Sequence, residues 1–136
     1  VALLYFDLDN FKAINDTMGH LVGDQALKTV AEHLRNCLRL EDVIARLGGD
    51  EFAAILTDFN DTQSVLDLVE RILSTLPTLD SPTISCTLSL SVGIAIFPEH
   101  GTDVETILQR ADDAMYTAKR LGKGRYHLCH ILPNEI

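Results

Sequence analysis

The sequence has little positive charge. Its 136 residues include 11 lysines and arginines against 20 aspartates and glutamates, which gives a net charge of −9. Because a nucleic-acid duplex attracts basic surfaces, this balance argues against a duplex as the partner. The sequence also lacks an uninterrupted apolar stretch long enough to cross a bilayer, and no signal-peptide pattern opens it. We therefore expect no membrane contact by this domain, whereas membrane anchoring of the parent protein stays open.

Cysteine is scarce as well. Cys37, Cys86 and Cys129 are far apart, form no C-x-x-C pair and lie in apolar surroundings. This pattern is typical of small core residues in a reducing cytoplasm, and it argues against a metal site built from thiolates. With 46% apolar residues in a chain of this length, we expect one domain with a core of its own.

The apolar pattern predicts five strands and three helices in the order β-α-β-β-α-β-α-β. Strands are predicted at 1–8, 43–47, 52–56, 84–97 and 125–129, and helices at 24–38, 62–76 and 104–120. One hairpin and several connecting helices favour an α+β fold with a mainly antiparallel sheet and helices packed on it.

The segment Arg46–Phe52 joins two of these strands through two glycines and two acids. A hairpin needs only the glycines, because their missing Cβ lets the backbone adopt a positive φ. Adjacent carboxylates repel each other, but a metal-bound polyphosphate would explain them, since Mg²⁺ prefers oxygen ligands. Asp7, at the end of the first strand, could converge with Asp50 on the same cation. A plain hairpin is the alternative.

Four of the eleven basic residues lie within seven positions near the C-terminus, namely Lys119, Arg120, Lys123 and Arg125. One interpretation is a solvated helix end, where cations are favoured. The other is a local positive charge that receives a nucleoside triphosphate on an otherwise acidic domain. The two interpretations are compatible.

Three separated stretches carry a further set of motifs. The first comprises Phe6–Asp16 with Gly19-His20 and Gly23-Asp24, the second is the hairpin motif at 48–52, and the third is Ala111–Lys119 with Gly122-Lys123. In order and spacing these stretches resemble the GGDEF-domain diguanylate cyclases from Phe6 to Arg125. Several motifs in register are far more specific than one.

The resemblance implies a five-stranded palm related to the ferredoxin-like fold and to the palm of nucleotide cyclases. It implies Mg²⁺-dependent condensation of two GTP molecules into cyclic di-GMP with release of two pyrophosphates, with Mn²⁺ as an alternative metal. Two half-sites, each holding one GTP, would face each other across a homodimer in the bacterial cytoplasm.

The resemblance also implies residue roles. Asp7, Asp50 and the Leu8 carbonyl would bind the metal, and Asp50 or Glu51 would help to deprotonate the attacking hydroxyl. The other residues implied at the triphosphate are Phe11, Gly48 and Gly49 through backbone N–H groups, and Lys12, Lys119 and Lys123 through their charge, Lys12 being counted with the catalytic residues.

For the guanine base, the resemblance implies contacts from Asn15, His20 and Asp24. A carboxylate can accept from the N1–H and N2–H₂ donors of guanine, and an amide can both donate and accept. Each residue also has an alternative interpretation. Asp24 precedes a helical pattern and could be its N-cap, Asn15 could be a turn residue, and His20 a structural histidine.

The Arg39-x-x-Asp42 pattern lies a short strand upstream of the hairpin. At this offset the family places an inhibitory site for its product, so the resemblance implies that cyclic di-GMP is also an allosteric inhibitor. Arginine can bind a phosphate or a guanine edge through two parallel hydrogen bonds. An ordinary surface ion pair is the alternative.

The chain begins inside a strand, without the upstream helix and the Asp-x-Leu-Thr-Gly-Leu-x-Asn-Arg segment usual in the family. We therefore expect residues 1–136 to form a single GGDEF domain that is an N-terminally truncated fragment of a larger protein. The alternative function is a catalytically silent GTP-binding domain that regulates a neighbouring domain. Loss of Asp7, Asp50 or Glu51 would have favoured it, and all three are present.

Overall fold

The structure is a computed structural model that describes residues 1–80 and 85–130. Its elements in chain order are β1 (Ala2–Leu8), α1 (Phe11–Met18), α2 (His20–Cys37), β2 (Val43–Gly48), β3 (Glu51–Leu56), α3 (Thr62–Ser74), β4 (Thr78–Asp80), β5 (Ser85–Thr87), β6 (Leu90–Ile96), α4 (Val104–Arg120) and β7 (Tyr126–Leu128).

Five of the strands form the central sheet, in the order β2-β3-β1-β6-β7, while β4 and β5 pair separately. β1 runs antiparallel to both of its neighbours, β2 is antiparallel to β3, and β7 is parallel to β6. The predicted α+β fold with a mainly antiparallel five-stranded sheet is therefore confirmed. In this register Asp7 lies opposite Glu51 on one side and Ser91 on the other.

Both faces of the central strand are buried, which explains why β1 is apolar at nearly every position. On one face Leu4 and Phe6 belong to the larger core, together with Val30 of α2. On the other face Leu3 belongs to a smaller core that includes Ala111 of α4. Among the described residues, no helix has the length and apolar character that crossing a bilayer requires.

The structure differs from the predicted elements at several places, and the three-residue strand β4 was not predicted. α1 was not predicted, because its eight residues contain only one buried side chain, Ile14. The helix predicted from Asp24 begins at His20, since Gly19 with φ +93° separates it from α1. The strand predicted at 84–97 is divided into β5 and β6, and position 84 lies outside the described residues.

Candidate active site

The ends of two neighbouring strands bring together Asp7 and Asp50. The N–H of Leu8 donates to the Asp50 carbonyl oxygen at 3.1 Å, so the hairpin tip lies beside the end of β1. Lys119, in the last turn of α4, places its Nζ 3.0 Å from Asp7 Oδ2. The other carboxylate oxygen, Asp7 Oδ1, is buried without a hydrogen-bond partner among the described residues.

This arrangement fits a divalent cation. A buried oxygen without a hydrogen-bond partner costs folding free energy. A divalent cation bound between the Asp7 and Asp50 carboxylates would give that oxygen a partner. Asp7, Asp50 and the backbone of Leu8 supply oxygens of the type that Mg²⁺ binds. In the described part of the chain, no group of three or more histidine, cysteine, aspartate or glutamate side chains is placed to hold a metal. The remaining ligands would have to come from the backbone, water or a phosphate.

The pKa of the Asp7 carboxyl is raised to about 7. Burial is the main cause and the Asp50 carboxylate the second, while the Lys119 ammonium acts in the opposite direction. Ionising Asp7 therefore costs folding stability. The contribution of protonated Asp7 to folding stability is fully present below pH 3.8, the ordinary pKa of the group, and is lost as the pH rises through about 7. A bound cation would reverse this preference, because it favours the ionised form.

We expect the affinity for Mg²⁺ to increase with pH until Asp7 is ionised. Below about pH 7 each bound cation must displace one proton, so the affinity should fall about tenfold per pH unit. Calorimetric titration with Mg²⁺ between about pH 5 and pH 9 measures this slope. Asp7→Asn, which cannot titrate, should bind weakly with a flat profile. A flat profile for the wild type would contradict the prediction.

The turn between β2 and β3 is held by backbone conformation and by an arginine. Gly48 and Gly49 have backbone φ angles of +136° and +52°, which residues with a Cβ adopt with difficulty. Arg46 donates two hydrogen bonds to the Gly49 carbonyl oxygen, at 3.1 Å from Nε and 2.7 Å from a terminal nitrogen. These hydrogen bonds fix the hairpin tip that carries Asp50. In the sequence, the only sign of this role was the position of Arg46 at the start of the motif.

The loop after α4 approaches the start of α1. Lys123 has φ +64°, and its Nζ donates to Asn10 Oδ1 at 2.8 Å. Phe11 and Lys12 open α1 directly after Asn10, with Phe11 half-buried and Lys12 exposed. The structure thus brings Lys123 to the N-terminus of α1, where free backbone N–H groups favour an anion.

Asp9 is a residue that sequence reasoning missed. It is only 3% exposed and accepts hydrogen bonds from the hydroxyls of Ser89 and Ser91, both at 2.6 Å, and from the Gly124 N–H at 2.9 Å. These bonds fasten the corner between β1 and α1 to the loop that carries Lys123. Its only sequence signal was its position two residues after Asp7.

The residues predicted to contact a base lie on α1 and α2. Asp24 lines a cavity of about 340 Å³ between α2 and the hairpin, together with Lys28, Arg46 and other residues. Asn15 of α1 is half-buried and packs against Gly23, the residue that precedes Asp24 in the sequence. His20 is exposed and lies one turn before Asp24 on α2. Because Asp24 and Asn15 both lie inside helices, the N-cap and turn interpretations were wrong.

Arg39 and Asp42 line a second cavity of about 330 Å³. Asp42 Oδ2 accepts from the Arg39 N–H at 2.9 Å, and the Arg39 guanidinium donates to the Asp58 carbonyl at 2.8 Å. The ion pairs of Arg39 at 3.8 Å run to Glu41 and Asp58 rather than to Asp42. Arg71 of α3 lines the same cavity and was not predicted, since the sequence separates it from the motif by a strand pair.

A five-stranded, mainly antiparallel sheet with helices on both faces, and with acids at the end of its central strand, is the palm of nucleotide-cyclase-like proteins. The family model described as "Diguanylate cyclase, GGDEF domain" matches residues 1–125. The chain belongs to the GGDEF family.

The curated relatives are bacterial proteins. The chain is 46% identical over 128 residues to "Cyclic di-GMP phosphodiesterase PdeR" of Escherichia coli, covering 93% of this chain and 19% of that protein. It is 39% identical over 135 residues to "Diguanylate cyclase TpbB" of Pseudomonas aeruginosa, covering 96% of this chain and 31% of the relative. The chain thus spans less than a third of the length of these two relatives.

Solved structures agree with this assignment. The GGDEF domain of PA1120 from Pseudomonas aeruginosa superimposes with a TM-score of 0.91 at 38% identity, covering 96% of this chain and 83% of that one. The GGDEF domain of DgcB from Caulobacter crescentus, solved in complex with c-di-GMP, gives a TM-score of 0.83 at 30% identity, covering 94% and 77%.

Proposed function

We propose that this domain is a diguanylate cyclase, which condenses two GTP molecules into cyclic di-GMP and two pyrophosphates. The observation that carries the proposal is the unpartnered buried oxygen of Asp7 beside Asp50, with Lys119 on the other oxygen. A plain hairpin turn gives no reason for that combination. Membership of the GGDEF family supports cyclic di-GMP synthesis in general.

In this proposal Asp7, Asp50 and the Leu8 carbonyl hold Mg²⁺, or Mn²⁺ in its place. The cation neutralises triphosphate charge and makes the α-phosphorus more electrophilic. Backbone N–H groups of Phe11, Gly48 and Gly49 receive phosphate oxygens. Positive charge at the same edge comes from Lys12, Lys119 and Lys123.

The reaction joins the 3′-hydroxyl oxygen of one GTP to the α-phosphorus of the other. The bond from that phosphorus to the pyrophosphate oxygen breaks, and the hydroxyl proton passes to the Asp50 or Glu51 carboxylate. The reciprocal step closes the ring and releases the second pyrophosphate. Since each site holds one GTP, turnover requires a homodimer whose sites face each other, and orientation supplies much of the rate. Asn15, His20 and Asp24 bind the base.

The first test is incubation of the protein at high concentration with GTP and Mg²⁺, followed by chromatography of the nucleotides. Cyclic di-GMP is the expected product, and its absence would contradict the proposal. The second candidate is a silent GTP-binding regulatory domain, which the relative named a phosphodiesterase favours. Calorimetric GTP binding without product would support that candidate.

We also propose product inhibition through Arg39 and Asp42. Removing the guanidinium in Arg39→Ala takes away a donor to phosphate or guanine, so inhibition by cyclic di-GMP should weaken about ten- to a hundredfold. Activity at high product concentration should rise accordingly. Initial rates at increasing cyclic di-GMP concentrations measure the shift.

Glu41→Ala is the matched control for this experiment. It removes an ion-pair partner of Arg39 at 3.8 Å but leaves the guanidinium in place. Inhibition should therefore be nearly unchanged in Glu41→Ala. An inhibition curve for Arg39→Ala that coincides with the wild type would reduce the pair to a surface contact.

We place the domain in the bacterial cytoplasm. Cys37, Cys86 and Cys129 are free thiols, and the latter two are buried, as expected in a reducing compartment.

A further inference from the structure

Helices α1 and α2 come into close contact at Gly23. A Cβ built on Gly23 would collide with Asn15 Oδ1, and it would lie 2.9 Å from Asn15 Cγ and 3.4 Å from Phe11 Cε1. The Asn15 amide therefore occupies the space that any other residue at position 23 would fill. Gly23 itself is buried.

Backbone geometry does not account for this glycine. Gly23 lies inside α2 and is not among the glycines with positive φ, so alanine would fit its conformation. Glycine also destabilises a helix interior relative to alanine. What glycine provides at this position is space for the amide of Asn15.

Contact with Gly23 is also what fixes the Asn15 amide. Within the described part of the chain the Asn15 side chain makes no hydrogen bond to protein. Its orientation thus depends on packing against Gly23, which Oδ1 faces, and the amide N–H donors are left for a ligand. Asp24, the next residue after Gly23, adds an exposed carboxylate on the same helix.

We propose that Gly23 determines the base specificity of the site, because it leaves the space in which the Asn15 amide is held. In the proposed function Asn15 and Asp24 both bind the base. This inference rests on the proposed function. A carboxylate accepts from the N1–H and N2–H₂ of guanine while an amide donates to O6. Adenine offers an acceptor at N1 instead, so the same pair disfavours it. Gly23 is a positioning residue that acts through Asn15 without contacting the base.

The test compares Gly23→Ala with the wild type for binding of 3′-deoxy-GTP and 3′-deoxy-ATP, which lack the attacking hydroxyl and cannot condense. The new methyl group displaces the Asn15 amide, a short side chain that can rotate away. Affinity for 3′-deoxy-GTP should fall about tenfold, as expected for one lost hydrogen bond, while affinity for 3′-deoxy-ATP should not fall. The thermal midpoint should not decrease, because alanine favours the helix.

A double variant separates positioning from general damage. If Gly23 acts only through Asn15, Gly23→Ala in an Asn15→Ala background should cost no further affinity for 3′-deoxy-GTP. Gln25→Ala, at an exposed position of α2, is the matched control and should match the wild type. Equal losses for both nucleotides, or additive losses in the double variant, would overturn the inference. If the wild type binds no 3′-deoxy-GTP, the proposed function fails, and the inference with it.

Discussion

Asp50→Ala is expected to abolish cyclic di-GMP formation, with a fall in rate of at least about 10³-fold. The variant removes one of the two carboxylates that would hold the metal and one of the two candidate bases. The fold should remain, because Asp50 is half-buried at a turn that is held by two glycines and by Arg46. Product chromatography and thermal unfolding on the same samples measure the two effects.

A second readout reports on the metal site itself. The Asp50 carboxylate is one cause of the raised pKa of Asp7, so the pKa of Asp7 should decrease in Asp50→Ala. Asp80→Ala is the control, since Asp80 is an exposed carboxylate on β4. It should leave both product formation and the pKa of Asp7 unchanged. Undiminished product from Asp50→Ala would refute the assignment of Asp50 to the metal.

The sequence predicted the elements with repeated apolar positions. β1, β3, α3 and α4 each bury several side chains at a regular spacing, so their periodicity is visible without the structure. α1 has a single buried residue, and its helical conformation depends on packing against α2. Short elements of this kind are determined by tertiary contacts rather than by their own pattern.

The approach of Asp7 to Asp50 was predictable for a similar reason. It requires only that a strand-end acid and a hairpin-tip acid lie on neighbouring strands, which the β1–β3 pairing provides. The role of Asp9 was not predictable. Its donors are 80, 82 and 115 residues away along the chain, and nothing local in the sequence links Ser89, Ser91 or Gly124 to it.

The basic cluster near the C-terminus divides into two pairs in the structure. Lys119 contacts Asp7 and Lys123 contacts Asn10, which places these two cations at the candidate site. Arg120 lies over the ring of Tyr116, with its guanidinium carbon 5.8 Å from the ring centroid, and Arg125 donates to the Lys123 carbonyl at 3.3 Å. These two arginines therefore make contacts within the end of α4 and the loop that follows it.

Gly93→Ala is expected to destabilise the protein by about 3 kcal/mol, the upper end for overpacking a core. Gly93 lies on β6 beneath α4, where a Cβ would collide with the Ala111 carbonyl oxygen and the Met115 amide nitrogen and lie 2.9 Å from Met115 Cα. These are backbone atoms of a helix, which cannot rotate away as a side chain can. α4 would have to move off the sheet as a whole.

The displacement should also reach the candidate site, because α4 carries Lys119 and the contact of Lys119 with Asp7 spans only 3.0 Å. Urea unfolding measures the loss of stability, and GTP turnover at a temperature where the variant remains folded measures the loss of positioning. Met115→Ala is the diagnostic second change. Since the obstructing atoms of Met115 are in its backbone, shortening its side chain should not rescue Gly93→Ala. A double variant as stable as Met115→Ala alone would mean that the obstruction is a movable side chain, and that the close approach of α4 does not depend on a glycine at position 93.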